Sequence, residues 1–170
     1  MTDYSMAGKG LNRMFIGEIL CILAIIPLIG GFLALAGLIV MLVGLYTAGK
    51  ADDGYRTAFI LTVAGLILSF IPLLSLIVNI LSIITTYLVC TTTARLLTAR
   101  GDTATAARGL FVWKLYAACL VVSLVCALLL FVPLINVAAI LMEVVVGIAS
   151  LVGGILYLMF LYRASDSLRY

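Results

Sequence analysis

Two carboxylates sit where a carboxylate is costly. Glu143 stands in "PLINVAAILMEVVVG", inside a stretch with no other charge between Lys114 and Arg163, and Glu18 stands in "MFIGEILCIL". A charged carboxylate in hydrocarbon costs at least about 2.5–3.5 kcal/mol, so each acid should be protonated, paired, or in contact with water or a cation. Such a group can pass a proton or hold a cation. It can equally be a neutral acid that fastens helices, Glu143 by a hydrogen bond to Ser82 or Asn79 and Glu18 by reaching toward the interface near Arg13. Asn79, Ser82, Asn136 and Ser150 are the polar side chains expected on the same helix faces, as the lining of a path or as interhelical glue.

Other chemistry finds no support. The chain has no histidine, and Cys21, Cys90, Cys119 and Cys126 form no CxxC pair, so no metal site and no Ser/His/Asp or Cys/His set is expected. No P-loop or dinucleotide fingerprint is present. We therefore expect no catalytic residue and no cofactor, and a non-enzymatic protein; an acid pair is the one catalytic option left.

The elements that must position these acids follow from composition and charge. Of 170 residues, 66% are hydrophobic and 10% charged, and mean hydropathy is +1.36. A soluble domain is about a quarter charged. A single all-α integral membrane domain is expected over 1–170. All ten basic residues fall in four segments, 1–14, 47–57, 93–114 and 163–170, and none falls in the runs 15–46, 58–92 and 115–162. By the positive-inside rule the four segments are cytoplasmic, so each run leaves and returns to one side. Each run exceeds the about twenty residues of one crossing. Each also has one proline where a turn is needed, at Pro27, Pro72 and Pro133. The expectation is six transmembrane helices in three hairpin repeats, 11–48, 55–93 and 103–162, with cytoplasmic N and C termini. Asp53 or Asp102 is expected to cap the helix after it. At about 16 residues per helix the first hairpin looks short for a bilayer, as if to thin it or to tuck in as a re-entrant pair. The apolar run continues past Ala34-Leu35-Ala36, so a cleaved signal peptide is not expected.

Numbering each second helix from its proline gives a repeated face. Gly30, Gly37 and Gly44 in the first hairpin correspond to Ser75, Ser82 and Val89 in the second and to Asn136, Glu143 and Ser150 in the third; Gly147 and Gly154 fall on the same stripe. Small residues let helix backbones approach in lipid, where no hydrophobic drive pulls helices together. Gly30, Gly37, Gly44, Gly147 and Gly154 are thus expected to pack helices. A pseudo-threefold bundle follows, with helices 2, 4 and 6 innermost and Glu18 and Glu143 at one depth, each about 14 Å from its turn.

The stretches "GEILCILAIIPLIGGFLALAGLIVMLVGLY" and "YRTAFILTVAGLILSFIP" resemble small prokaryotic membrane proteins classed only as domains of unknown function. That resemblance implies a prokaryotic cytoplasmic membrane and no particular activity. Rotary-ring hairpin subunits and mitochondrial carriers share the hairpin theme, but the glycine-rich first helices of the former and the proline-acid-basic motif of the latter are missing. The leading expectation is a structural or accessory protein that binds another membrane protein or a second copy of itself through small-residue faces. The alternative is a channel or transporter for protons, cations or a small solute, using Glu143. The bilayer is the expected partner, with anionic lipid at the basic cytoplasmic face and no nucleic acid.

Overall fold

The computed structural model describes residues 3–24, 26, 29–71, 74–129 and 136–169, without the side chains of 75–76, 124, 127–129 and 136–139. Pro27, Pro72 and Pro133, where the hairpin turns are expected, lie outside the described residues. Six helices follow one another: α1 (Tyr4–Leu23), α2 (Gly30–Ala48), α3 (Asp53–Leu68), α4 (Ser75–Ala99), α5 (Thr103–Leu129) and α6 (Asn136–Arg169). The stretches 30–48, 77–99, 103–123 and 140–169 are each long and apolar enough to cross a membrane. Large apolar side chains cover the outside, with Phe32 and Phe70 each 81% exposed. Such a surface is satisfied by lipid, and the chain is a membrane protein. At 20 and 19 residues, α1 and α2 are about 30 and 28 Å long, so the first hairpin is not as short as its apolar run implies. The polar start of the chain supplies the difference, because α1 begins at Tyr4 rather than residue 11. Similarly α6 runs on to Arg169, about 51 Å in all.

Each helix packs on its predecessor and successor, and α6 packs on α1, so the six form a closed cycle of neighbours. Only α4 and α6 also touch across the cycle to any extent among the described residues. The expected inner trio of α2, α4 and α6 is therefore not formed: α2 lies against α1 and α3 instead. The reason lies in α1, which has small residues on two faces. On one, a Cβ added to Gly10 would lie 2.7 Å from the Gly44 carbonyl oxygen, and one added to Gly17 would lie 2.7 Å from that of Gly37. The converse holds for Gly37 against Gly17 and for Gly44 against Gly10. On the other face, a Cβ on Gly8 would come within 2.9 Å of the Arg169 amide nitrogen on α6. These backbones touch, and α1 is held between α2 and α6.

The other seams use side chains. Phe160 fills the space over Gly109 between α5 and α6, Tyr87 meets Trp113 edge-on at 5.0 Å between α4 and α5, and Tyr46 meets Phe59 at 5.8 Å between α2 and α3. Tyr55 and Thr93 share a buried 2.6 Å hydrogen bond between α3 and α4.

Polar bonds collect at the basic pole. Asp52, rather than Asp53, caps α3 by accepting from the Gly54 amide at 2.9 Å, and its other oxygen pairs with Arg95. Asp102 caps α5, accepting from the Thr105 amide at 3.0 Å. The turn before it is tight because Gly101, at φ +88°, adopts the left-handed conformation, and the amides of 101 and 102 return to the carbonyls of Thr98 and Leu97. Asp102 also accepts from the Ser167 hydroxyl at 2.7 Å, while Arg100 donates to the Ser167 carbonyl at 3.1 Å and lies over the Tyr4 ring. The ends of α1, α4, α5 and α6 are thereby tied together.

Gly17→Val should destabilise the purified protein in detergent by about 1–3 kcal/mol, as overpacking does, while Gly147→Val should stay within about 0.5 kcal/mol. Equal effects in thermal melts would contradict the α1–α2 contact. At the pole, the Ser167 hydroxyl, then the Thr105 amide, hold the Asp102 carboxyl below the ordinary aspartate value. Because the folded value is lowered, its stabilisation is complete above about pH 4 and is lost as pH falls through the folded value. Below about pH 4 the melting temperature of the wild type should drop more steeply than that of Asp102→Asn; parallel curves would disconnect this acid from stability.

Candidate functional site

Gly17 fixes which way α1 turns, and Glu18 is the next residue. With Gly17 against α2, a rotation of about 100° per residue carries the Glu18 side chain off that seam and toward the middle of the cycle. There it lines two clefts. One, of about 330 Å³, is bounded by α1, α2, α3 and α4 and includes Met41, Thr62, Ser82, Thr85 and Thr86. The second, of about 350 Å³, lies between α1, α4, α5 and α6 and includes Tyr116 and Leu158. Glu18, Ser82, Thr86 and Tyr157 belong to both, so the two clefts adjoin at these side chains and together make up the hollow around Glu18.

Tyr157 is 9% exposed and stands edge-on to Tyr116, ring centroids 6.4 Å apart. Neither Glu18 nor the Tyr116 and Tyr157 hydroxyls are hydrogen-bonded to a described residue. The Thr85 hydroxyl, buried at the hollow's wall, also has no described partner. Among the described residues, no lysine or arginine lines either half. Glu18 is thus the single described carboxylate of an otherwise apolar and hydroxylated space.

The remaining polar residues divide differently from the expected pattern. Asn79, Ser82 and Ser150 do meet, around a third cleft of about 290 Å³ that also includes Tyr116, Cys119 and Ser123. Ser82 and Tyr116 join this cleft to the hollow. The side chain of Asn136 lies outside the described residues. Glu143 is exposed, on the outer α5–α6 seam, where its Oε1 accepts from the Ser123 hydroxyl at 2.5 Å. Its expected partners Ser82 and Asn79 are not its hydrogen-bond partners. Nor are the two acids at one depth, since Tyr157, beside Glu18, is fourteen residues and about 21 Å along α6 from Glu143.

The packing glycines divide as well. Gly37 and Gly44 make the α1–α2 contact, whereas Gly30 abuts the Ala24 carbonyl at the end of its own hairpin. Gly154 faces the Tyr116 hydroxyl at ordinary contact distance, 3.6 Å from an added Cβ. Gly147 is exposed, with nothing within 4 Å of an added Cβ, so it packs no helix among the described residues.

Sequence reasoning passed over Tyr116 and Tyr157. Their size hides them in a search for small and polar positions, and tyrosine is common near membrane interfaces. A usable signal was spacing: Tyr157 continues the stripe of α6 three residues past Gly154, and Tyr116 stands one heptad before Ser123 on α5. Compared with protein-family models, with curated proteins and with solved structures, the chain matches none of them.

The Ser123–Glu143 bond should be worth about 0.6 kcal/mol, as interhelical hydrogen bonds in membranes commonly are. Ser123→Ala and Glu143→Gln should each cost about that much in thermal melts, and the double variant no more than about the larger single loss. Fully additive losses would mean that the two side chains do not act through each other.

Proposed function

We propose that this chain is a non-enzymatic, six-span protein of a prokaryotic cytoplasmic membrane that carries protons, cations or a small cationic solute through the hollow around Glu18. All six helices cross, the basic pole and both termini face the cytoplasm, and anionic lipid surrounds that pole. The positive-inside rule supports this sidedness, because all ten basic residues belong to the four segments at one end of the hairpins. One observation carries the functional reading: a carboxylate lines both halves of a hollow whose described walls hold no basic side chain. In hydrocarbon such a group is stable when it holds a proton or meets a cation or water, and a site that exchanges these is a site of transport. Ser82, Tyr116, Asn79, Ser123 and Ser150 supply hydroxyl and amide groups from the hollow toward Glu143, the proposed outer end of the path.

A second reading is favoured by the first half of α6. Residues 140–145 and 147–148 are exposed around the helix, and Gly147 leaves room for another backbone. A second copy of the chain, or another membrane protein, can pack there as α2 packs on α1, which would make the protein an accessory or structural subunit.

Liposomes containing purified protein separate the two. With an imposed pH, potassium or organic-ammonium gradient, the wild type should dissipate it, Glu18→Gln should slow the flux by at least about tenfold, and Glu143→Gln, at the outer end of the path, should slow it less than Glu18→Gln does. Flux unchanged in Glu18→Gln would remove this acid from the path. No flux of any ion, together with crosslinking through Gly147→Cys, would leave the accessory reading.

A further inference from the structure

We propose that the hollow around Glu18 binds a monovalent organic cation, an amine or quaternary ammonium compound bearing an apolar or aromatic group. This rests on reading the hollow as the solute site and names the class of solute. Among the described residues the walls offer one carboxylate and no basic side chain, which matches a single positive charge. A divalent metal ion gathers several oxygen or nitrogen and sulfur ligands, and no group of three His, Cys, Asp or Glu residues occurs among the described residues.

The walls favour an organic ion over a bare one. Beyond Glu18 and the hydroxyl groups, they are built from side chains such as Met14, Leu38, Met41 and Leu81. A small inorganic cation would leave these surfaces facing water, whereas an apolar substituent covers them. The two halves, about 330 and 350 Å³, each lie near the lower end of the range of about 300–1,000 Å³ usual for small-molecule sites. A compound with one ring and one ammonium group fits that scale.

Aromatic rings complete the match. Tyr116 and Tyr157 stand perpendicular with centroids 6.4 Å apart, so rings of two orientations line the same cleft as Glu18. Ring faces attract a cation within about 6 Å, and the attraction grows when water is excluded. The Tyr157 side chain is nine-tenths buried, and its hydroxyl has no described partner. It gives an amine's N–H group an acceptor in the hollow.

The probe is radiolabelled benzyltrimethylammonium, measured by equilibrium dialysis against the full chain in detergent, where no transport is needed. Saturable binding should be displaced by unlabelled probe but not by an equal concentration of potassium or of neopentylbenzene, its uncharged carbon isostere. Glu18→Gln should weaken binding by at least about tenfold. Tyr157→Phe, which keeps the ring, should bind much as the wild type does, whereas Tyr157→Leu should bind about threefold to tenfold less tightly. Melting temperatures of the variants show that each is folded. Absent saturable binding, displacement by potassium at equal concentration, or binding indifferent to Glu18→Gln would overturn the proposal. Proton flux that depends on Glu18 without binding of the probe would overturn this inference alone; binding without flux would overturn transport and leave the organic-cation site standing.

Discussion

The rest of the structure depends on the contact of backbones between α1 and its two neighbours. At Gly10, Gly17, Gly37 and Gly44 there is no space for a side chain between α1 and α2, and at Gly8 there is none between α1 and α6. In lipid, helices gain nothing from hiding apolar surface, so close van der Waals contact over many atoms is what holds a seam. Because both seams run along α1, this helix closes the cycle. Glu18, on the same helix, is tolerated because it lines a cleft within the protein rather than facing lipid.

That constraint also explains why the three hairpins are not equivalent. The first is zipped by glycines, while the second is joined through Tyr55 and the third through Phe160, and Tyr87 and Trp113 link the second hairpin to the third. The hollow lies where the glycine-held α1 and α2 face helices joined through larger side chains. At the basic pole the polar residues act as a clamp. Asp52 and Asp102 each cap a helix and bond to a second one, so the pole is fixed at the points where the chain turns.

The organisation of the site follows from these two conditions. Glu18 points into the hollow because its neighbour Gly17 is committed to α2. Glu143 points outward because the turn of α6 that carries it meets α5 at the outer seam, well before the helix reaches Tyr157 and α1. Ser123 donates one hydrogen bond to it across the α5–α6 seam. The proposed path thus has an inner carboxylate and an outer one, joined by hydroxyl groups of α4, α5 and α6.

Much of this was legible in the residues alone. Ordering of apolar runs between basic segments determined the six helices and their pairing, since a run's length and charge are local properties that any membrane reads in the same way. The close packing of Gly37 and Gly44 was legible in the same way, from residue size and spacing. What only tertiary structure decided was which acid faces in. A periodic stripe says that a helix has a small or polar face; it does not say which neighbour takes that face, because the choice depends on all six helices at once. The stripe on α2 turned to α1, and the one on α6 left Gly147 and Glu143 on the outside. Tyr116 and Tyr157 joined Glu18 for the same reason: residues from the first and third hairpins meet only after α6 has closed the cycle on α1.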